Sequence, residues 1–86
     1  MYYVYYLHSL TQTNFSYIGF TDDLKRRFYE HNNKQVLSTK AYAPFKLVYY
    51  EAYLSKKDAL AREKKLKHHG SVIGHLKKRI NNSLKE

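Results

Sequence analysis

Two segments near the start of the chain, residues 2–8 and 14–20, are rich in aromatic and β-branched residues, which favour strands. The residues between them are mostly polar, as in a turn, so the two segments predict a β-hairpin. Thr21, Asp22 and Asp23 follow the second segment and offer side-chain oxygens that cap a helix N-terminus. The sequence therefore predicts a helix that begins there and ends at about residue 31.

The rest of the chain divides into elements by similar signals. Pro44 introduces an apolar segment over residues 45–53, whose two apolar faces are typical of a central or covered strand. Ser55 and Asp58 have the spacing of a capping box, and Gly70 is typical of a helix end. The remaining predicted elements are a polar loop over residues 32–43, a helix from Ser55 to about His69 and a helix from Ser71 to about Ser83.

The order of these elements, ββαβαα, predicts an α/β fold of the α+β type, in which helices flank a small three-stranded antiparallel sheet. The 86 residues predict one domain over residues 1–86, with a limited core that ten tyrosines and four phenylalanines must largely fill. The absence of cysteine excludes disulfides and thiolate zinc sites. No run approaches the roughly 20 apolar residues of a membrane span, so we expect a cytoplasmic protein without a membrane partner.

The formal charge of +9 is concentrated in the C-terminal third of the chain. Residues 55–86 carry ten of the sixteen Lys and Arg residues but only three of the seven acidic residues. Such a cluster attracts polyanions, first nucleic acid and second an acidic membrane surface, although a solvated helix face is also consistent with it. The candidate nucleic-acid contacts are Arg26, Lys40, Lys64, Lys65, Lys67, Lys77 and Lys78.

An arginine and a histidine share one side of the first predicted helix. At about 100° per residue, Arg27 and His31 fall on the apolar arc of this helix. The apolar residues of the arc are Leu24 and Phe28, and Arg26 points away from its centre. A guanidinium on this arc needs a partner, because burying it unpaired is costly. The alternatives are an arginine that snorkels at the edge of the core and a structural histidine.

The second predicted helix carries a carboxylate among apolar residues. Glu63 lies near the middle of the arc that Ala59, Leu60 and Leu66 define. Glutamate usually avoids such a position. We therefore expect Glu63 either to pair with a basic residue such as Arg27 or to hold a cation at the floor of a cleft.

Elimination favours Glu63 as a metal ligand. The other acidic residues lie at helix starts, on an outward face or at the C-terminus, and only Glu51 is otherwise unassigned. One carboxylate does not build a two-metal clamp, so we expect a single Mg²⁺ or Mn²⁺ ion with mostly water ligands. A zinc site built from His68, His69 and His75 is a weaker alternative, because adjacent histidines on a helix diverge.

The chain also carries two short motifs, Tyr3-Val4-Tyr5 and Tyr17-Ile18-Gly19, which precede the Arg27 and His31 pair. In this order the residues resemble the GIY-YIG nuclease family, and most closely its small stand-alone members. The resemblance covers the chain from its first residue to about Lys67. One departure is Tyr3, since the first motif of the family begins with glycine.

The resemblance implies catalytic roles for Tyr5, Tyr17, Arg27, His31 and Glu63, and the two tyrosines are selected by motif position alone. Tyr17 would act as general base or orient the attacking water, and Tyr5 and His31 would assist the proton transfer by hydrogen bonding. Arg27 would stabilise the developing negative charge, and the metal at Glu63 would neutralise the leaving oxygen.

Together these features predict a Mg²⁺-dependent endonuclease that hydrolyses nucleic acid, DNA rather than RNA, with low sequence specificity because no second domain reads base edges. One alternative is a binding module that keeps the fold and cuts nothing. Another is a basic protein-interaction domain that uses tyrosines as anchors. The combination of Tyr17, Arg27 and Glu63 favours the enzyme, because binding alone needs no carboxylate in a cationic cleft.

Overall fold

The computed structural model describes residues 1–86, the whole chain. Its strands are β1 (Tyr2–Ser9), β2 (Ser16–Thr21) and β3 (Phe45–Tyr53). Its helices are α1 (Leu24–Asn32), α2 (Lys56–His68), α3 (Gly70–Arg79) and α4 (Asn81–Lys85), with a short 3-10 helix over Lys40–Tyr42. The predicted α+β order is confirmed, and none of the helices has the length and apolar character needed to cross a membrane.

The three strands form one antiparallel sheet in the order β2-β1-β3, which confirms the predicted sheet. Strand β3 lies at an edge of the sheet, which excludes the central position for residues 45–53 and leaves the alternative of a covered strand, since α1, α2 and α4 contact it. The centre belongs to β1, where the four consecutive residues Val4–Leu7 are buried. Tyr50 and Ala52 of β3 are exposed, in agreement with the position of β3 at the edge of the sheet.

Alternate residues of β1 build two cores, one on each face of the sheet. On one face, Val4 and Tyr6 belong to the core that is shared with helices α2 and α3. On the other face, Tyr5 and Leu7 pack with Phe45 and with the apolar residues of α1. Each core thus contains a buried tyrosine, and a buried phenol requires a hydrogen-bond partner.

Side-chain hydrogen bonds confirm the starts of the first two helices. The Asp23 carboxylate accepts the Arg26 amide N–H at 3.0 Å, and the Ser55 hydroxyl accepts the Asp58 amide N–H at 3.4 Å. These amides have no partner within the helix, so the caps stabilise its first turn. The start of each helix sets which of its residues face the sheet.

Two helix boundaries differ from the prediction. Helix α2 ends at His68, and His69 makes the turn with extended backbone angles, so Gly70 begins α3 instead of ending α2. The helix expected over residues 71–83 is interrupted at Ile80, which separates α3 from α4. Ile80 is buried in the core at this break, so its side chain packs inward where the backbone leaves the helical conformation.

Gly19 lies directly opposite Tyr5 in the pairing of β2 with β1. The Tyr5 ring extends across Gly19, and a β-carbon at this position would overlap the Tyr5 ring and hydroxyl. The missing side chain therefore gives the Tyr5 ring the space in which its hydroxyl reaches His31.

Gly19→Ala is expected to destabilise the protein, because the added methyl group must displace the buried Tyr5 ring. We expect the free energy of unfolding to fall by about 1–3 kcal/mol, the usual cost of overpacking a core. Urea denaturation measures the change.

Gly74→Ala is the matched control, because Gly74 lies inside α3 and a β-carbon there meets no atom within 4 Å. This variant should gain roughly 0.5–1 kcal/mol, since alanine favours a helix interior over glycine. Equal shifts of the two variants would show that the Tyr5 ring does not depend on Gly19.

Candidate active site

Side chains from three elements meet on the face of the sheet that α1 covers. The Tyr5 hydroxyl of β1 lies 2.9 Å from Nε2 of His31 on α1. The ring centroid of Tyr17, on β2, lies 6.3 Å from that of Tyr5 and 5.1 Å from that of His31. We call Tyr5, Tyr17 and His31 the aromatic cluster, and it unites three of the residues that the sequence singles out.

A chain of hydrogen bonds fixes the orientation of the His31 ring. Its Nδ1 lies 2.8 Å from the Thr39 hydroxyl, which in turn lies 3.4 Å from the carbonyl oxygen of Val36. A carbonyl oxygen only accepts, so the Thr39 hydroxyl donates to Val36 and its oxygen accepts the N–H of His31 Nδ1. His31 Nε2 therefore carries the lone pair that accepts the Tyr5 hydroxyl proton.

The Tyr5–His31 pair lies inside the protein, where Tyr5 is 2% exposed and His31 is 0% exposed. Burial raises the pKa of Tyr5 to about 12, although the neighbouring Arg27 guanidinium opposes the rise. Burial also lowers the pKa of His31 to about 4, and the positive charge of Arg27 acts in the same direction. At neutral pH the phenol is thus protonated and the imidazole is neutral, as their hydrogen bond requires.

Arg27 lies between this buried pair and solvent, with 35% of its side chain exposed. Its Nη1 donates to Oε1 of Glu30 at 3.1 Å, and its guanidinium also faces the Tyr5 hydroxyl. The partner that a half-buried guanidinium requires is therefore Glu30, not Glu63. Arg26 is 57% exposed, in agreement with the expectation that it points away from the apolar arc.

Glu63 approaches the aromatic cluster from α2. Its Oε2 lies 3.3 Å from Nζ of Lys67, and 20% of the glutamate side chain is exposed. Nζ of Lys67 in turn lies 5.3 Å from the centre of the Tyr17 ring, so these three residues are neighbours. Leu60, which the sequence places on the same apolar arc, is 40% exposed. The buried arc of α2 is narrower than expected, and Glu63 lies at its border.

Glu51 of β3, the other unassigned carboxylate, is fully engaged in the structure. It accepts hydrogen bonds from Tyr49 at 2.7 Å, from Tyr53, and from Nε of Arg62 at 2.9 Å. Burial alone would raise the pKa of Glu51, but the hydrogen bonds from Arg62 and the two tyrosines hold it below its usual value. Because Arg62 precedes Glu63 on α2, the Glu51 pair anchors the helix that presents Glu63.

The site offers limited protein ligands to a metal ion. No three His, Cys, Asp or Glu side chains are grouped as ligands, so the zinc site considered for His68, His69 and His75 is not formed. Glu63 supplies one carboxylate near the aromatic cluster, and one carboxylate with several water ligands is compatible with a Mg²⁺ or Mn²⁺ ion.

Three of the seven candidate nucleic-acid contacts line one of two clefts, and the other four are exposed elsewhere. Lys67 and Lys77 line a cleft of about 320 Å³ beside Tyr17. Arg26 lines a second cleft, of about 290 Å³, together with Lys56 at the start of α2. The candidates that line neither of these clefts are exposed, and they are Lys40, Lys64, Lys65 and Lys78.

No pattern in the sequence marks Thr39, Asn32 or Lys56 as part of the site. Thr39 and Asn32 fall in the predicted polar loop, where no periodic pattern marks a buried residue. Nevertheless Thr39 is 0% exposed, and Oδ1 of Asn32 accepts the Phe45 amide N–H at 2.6 Å. Only contacts between residues distant in sequence reveal these roles.

Comparisons with known proteins agree with the resemblance to the GIY-YIG family. Residues 1–81 match the family profile described as the GIY-YIG catalytic domain. A UPF0213 protein of Limosilactobacillus reuteri is 41% identical over 70 residues, which cover 78% of this chain and 71% of the relative. A UPF0213 protein of Streptococcus pneumoniae is 42% identical over 52 residues, 59% of this chain, and this chain spans 52% of that relative's length. No solved structure gives a significant match.

The buried, neutral His31 makes the stability of the protein depend on pH. The pKa of His31 is about 4 in the folded protein, below the unfolded value of about 6.5, so the unfolded chain takes up the proton first as the pH falls. The contribution of neutral His31 is therefore present above about pH 6.5, and stability is expected to decrease from there until about pH 4, the pKa of His31 in the folded protein.

Urea denaturation at several pH values measures this dependence, with His31→Gln as the reference. The variant is expected to be less stable at neutral pH, because it loses the buried hydrogen bonds, but its stability should change less across the same pH window. Parallel curves for the two proteins would contradict a lowered pKa at His31.

Proposed function

Because this chain belongs to the GIY-YIG family, we propose that it is a Mg²⁺- or Mn²⁺-dependent endonuclease that hydrolyses phosphodiester bonds of DNA with low sequence specificity. The observation that supports this proposal most is the grouping of Tyr17, Arg27 and Glu63 around the buried Tyr5–His31 pair. A hydroxyl, a guanidinium and a carboxylate are the groups that metal-assisted phosphodiester hydrolysis uses.

The five candidate catalytic residues differ in burial, and we assign their roles accordingly. Tyr5 and His31 are too deeply buried to contact a substrate, so we assign them positioning roles. His31 orients the Tyr5 hydroxyl through its lone pair, and the hydroxyl oxygen faces the Arg27 guanidinium. Tyr17, Arg27 and Glu63 are partly exposed and are the groups that contact the phosphodiester.

In the proposed reaction, the Tyr17 hydroxyl orients the attacking water, or Tyr17 accepts the proton of the water as a phenolate. The Arg27 guanidinium, held by Glu30 at 3.1 Å, stabilises the negative charge that develops on the phosphate oxygens. Glu63 would hold a divalent cation, and that cation would supply positive charge near the leaving oxygen. Lys67, which pairs with Glu63 in the structure, would then contact phosphate.

The proposed substrate follows from the charge of the surface around the site. Lys67 and Lys77 lie on one side of Tyr17, and Arg26 and Lys56 lie at the other end of β2. These cations contact the phosphate backbone, which carries no sequence information, so low specificity is the expected property.

A binding module without catalysis is the second candidate, and one contact favours it. Lys67 lies 3.3 Å from Glu63 and neutralises the carboxylate without any metal ion. In that case the cationic surface alone would explain an affinity for nucleic acid, and Glu63 would serve only as an ion-pair partner.

Incubation of the purified protein with labelled single-stranded, duplex and branched DNA separates the two candidates. Cleavage is expected with Mg²⁺ or Mn²⁺ and not with a chelator. Glu63→Gln should retain the fold and most of the DNA affinity, because the lysines remain, but should lose divalent-dependent cleavage. Glu86→Gln, at the exposed C-terminus, is the control, and thermal melts verify folding. A folded Glu63→Gln protein that cuts at the original rate would exclude the metal role of Glu63.

Arg26 and Arg27 offer a second comparison between adjacent residues of equal charge. Arg27→Ala should lower the single-turnover cleavage rate about 100-fold or more, the usual loss when one group that stabilises the transition state is removed. Arg26→Ala should weaken DNA binding and change the rate at saturating DNA much less, because its side chain faces away from Tyr5. Equal rate losses in the two variants would contradict the assigned role of Arg27.

A further inference from the structure

The two basic clefts lie toward opposite ends of β2 and α2, which pack against each other. The Lys77 cleft is lined by Tyr17 of β2, Lys67 near the end of α2 and Lys77 of α3, among others. The Lys56 cleft is lined by residues 20–22 at the end of β2, Lys56 at the start of α2 and the two arginines of α1, among others. Both clefts are thus bounded by the same strand and the same helix.

Both clefts carry an excess of positive charge. Arg26, Arg27 and Lys56 line the Lys56 cleft, where Asp22 lies 3.4 Å from Arg26. Glu30, beside the cleft, pairs with Arg27 at 3.1 Å, so Lys56 is the cation of this cleft without a carboxylate partner. The Lys77 cleft contains two ammonium groups and no acidic residue, although Lys67 pairs with Glu63 beside it. An anion that enters either cleft meets at least one cation without a carboxylate partner.

The distance between the clefts is short enough for one nucleic-acid strand to reach both. Tyr17 and Phe20 are three residues apart on β2, which corresponds to roughly 10 Å. Lys56 and Lys67 are eleven residues apart on α2, which corresponds to roughly 16 Å. Phosphates of one strand of a duplex follow each other at about 3.4 Å along the axis, so several consecutive phosphates cover this distance.

We propose that the two clefts bind phosphates on opposite sides of the cleaved bond, so that one nucleic-acid strand runs from the Lys56 cleft to the Lys77 cleft. This inference rests on the proposed function, because Arg27 lines the first cleft and Tyr17 lines the second. A strand that occupies both clefts passes over the surface where Arg27, Tyr17 and Glu63 lie.

If the clefts bind phosphate, a lysine inside a cleft contributes more to binding than a lysine outside it. A general attraction of the positive surface to polyanions would make the two contributions equal. Lys56 lines a cleft, whereas its exposed neighbour Lys57 on the same helix does not. Lys77 lines a cleft, whereas the exposed Lys85 of α4 does not. The members of each pair carry the same charge. A difference within a pair therefore reports a direct phosphate contact.

The test measures DNA binding by the full chain in the presence of a chelator, so that no cleavage occurs. The probe is a fluorescein-labelled DNA strand, alone and annealed to its complement, and its anisotropy gives the dissociation constant over a series of salt concentrations. Lys56→Gln and Lys77→Gln should each reduce the slope of log K against log salt concentration by about 0.7 for the single strand or about 0.9 for the duplex. Lys57→Gln and Lys85→Gln should leave the slope unchanged.

Circular dichroism verifies that the four exposed or partly exposed positions tolerate glutamine, and cleavage with Mg²⁺ is measured separately. Equal slopes within each pair, or no binding of either probe, would overturn the two subsites. Unequal slopes without any cleavage would support the subsites while contradicting the proposed endonuclease. Cleavage together with equal slopes would do the reverse, so the two proposals fail in distinguishable ways.

Discussion

The hydrogen bond between Tyr5 and His31 is the interaction on which the rest of the site depends. Both rings lie in the small core under α1, where an unpaired polar group costs about 1–3 kcal/mol. The two side chains hydrogen-bond each other, and the Thr39 hydroxyl hydrogen-bonds the second ring nitrogen of His31. No buried side-chain polar atom lacks a hydrogen-bond partner. The pair is therefore stable only when β1, α1 and the loop that carries Thr39 are all in place.

The sheet supplies the geometry that this hydrogen bond requires. Tyr5 is central in the sheet, and the pairing with β2 places Gly19 opposite it, which leaves room for the ring. A slip of one residue would exchange Tyr5 for Tyr6, whose side chain belongs to the other face and hydrogen-bonds Ser16 at 3.3 Å. The same register positions Tyr17 beside His31. The register of strand pairing therefore also determines which side chains make up the site.

Local patterns in the sequence were sufficient where a single element determines the outcome. The helical arc of α1 correctly placed Arg27 on the side of His31, because a fixed angle relates residues within one helix. Patterns failed where contacts join separate elements. Thr39 lies in a loop without periodicity, the exposure of Leu60 depends on how α2 packs, and Lys56 belongs to a cleft only because α1 lies opposite it. The roles assigned to the site residues remain predictions.

Under the proposed function, the ion pair of Glu63 with Lys67 keeps a single carboxylate available for a metal ion at a surface with many cations. A partly exposed pair of residues i and i+4 on a helix contributes only about 0.3–0.5 kcal/mol, so separating it costs little. A metal ion alone must displace Lys67 and approach a chain of charge +9, which disfavours its binding. A phosphate that contacts Lys67 would draw the ammonium away from Glu63 and add negative charge, and both effects favour binding of the cation. Under the proposed function, nucleic acid and divalent cation therefore strengthen each other's binding, as linkage requires when each stabilises the state that the other prefers.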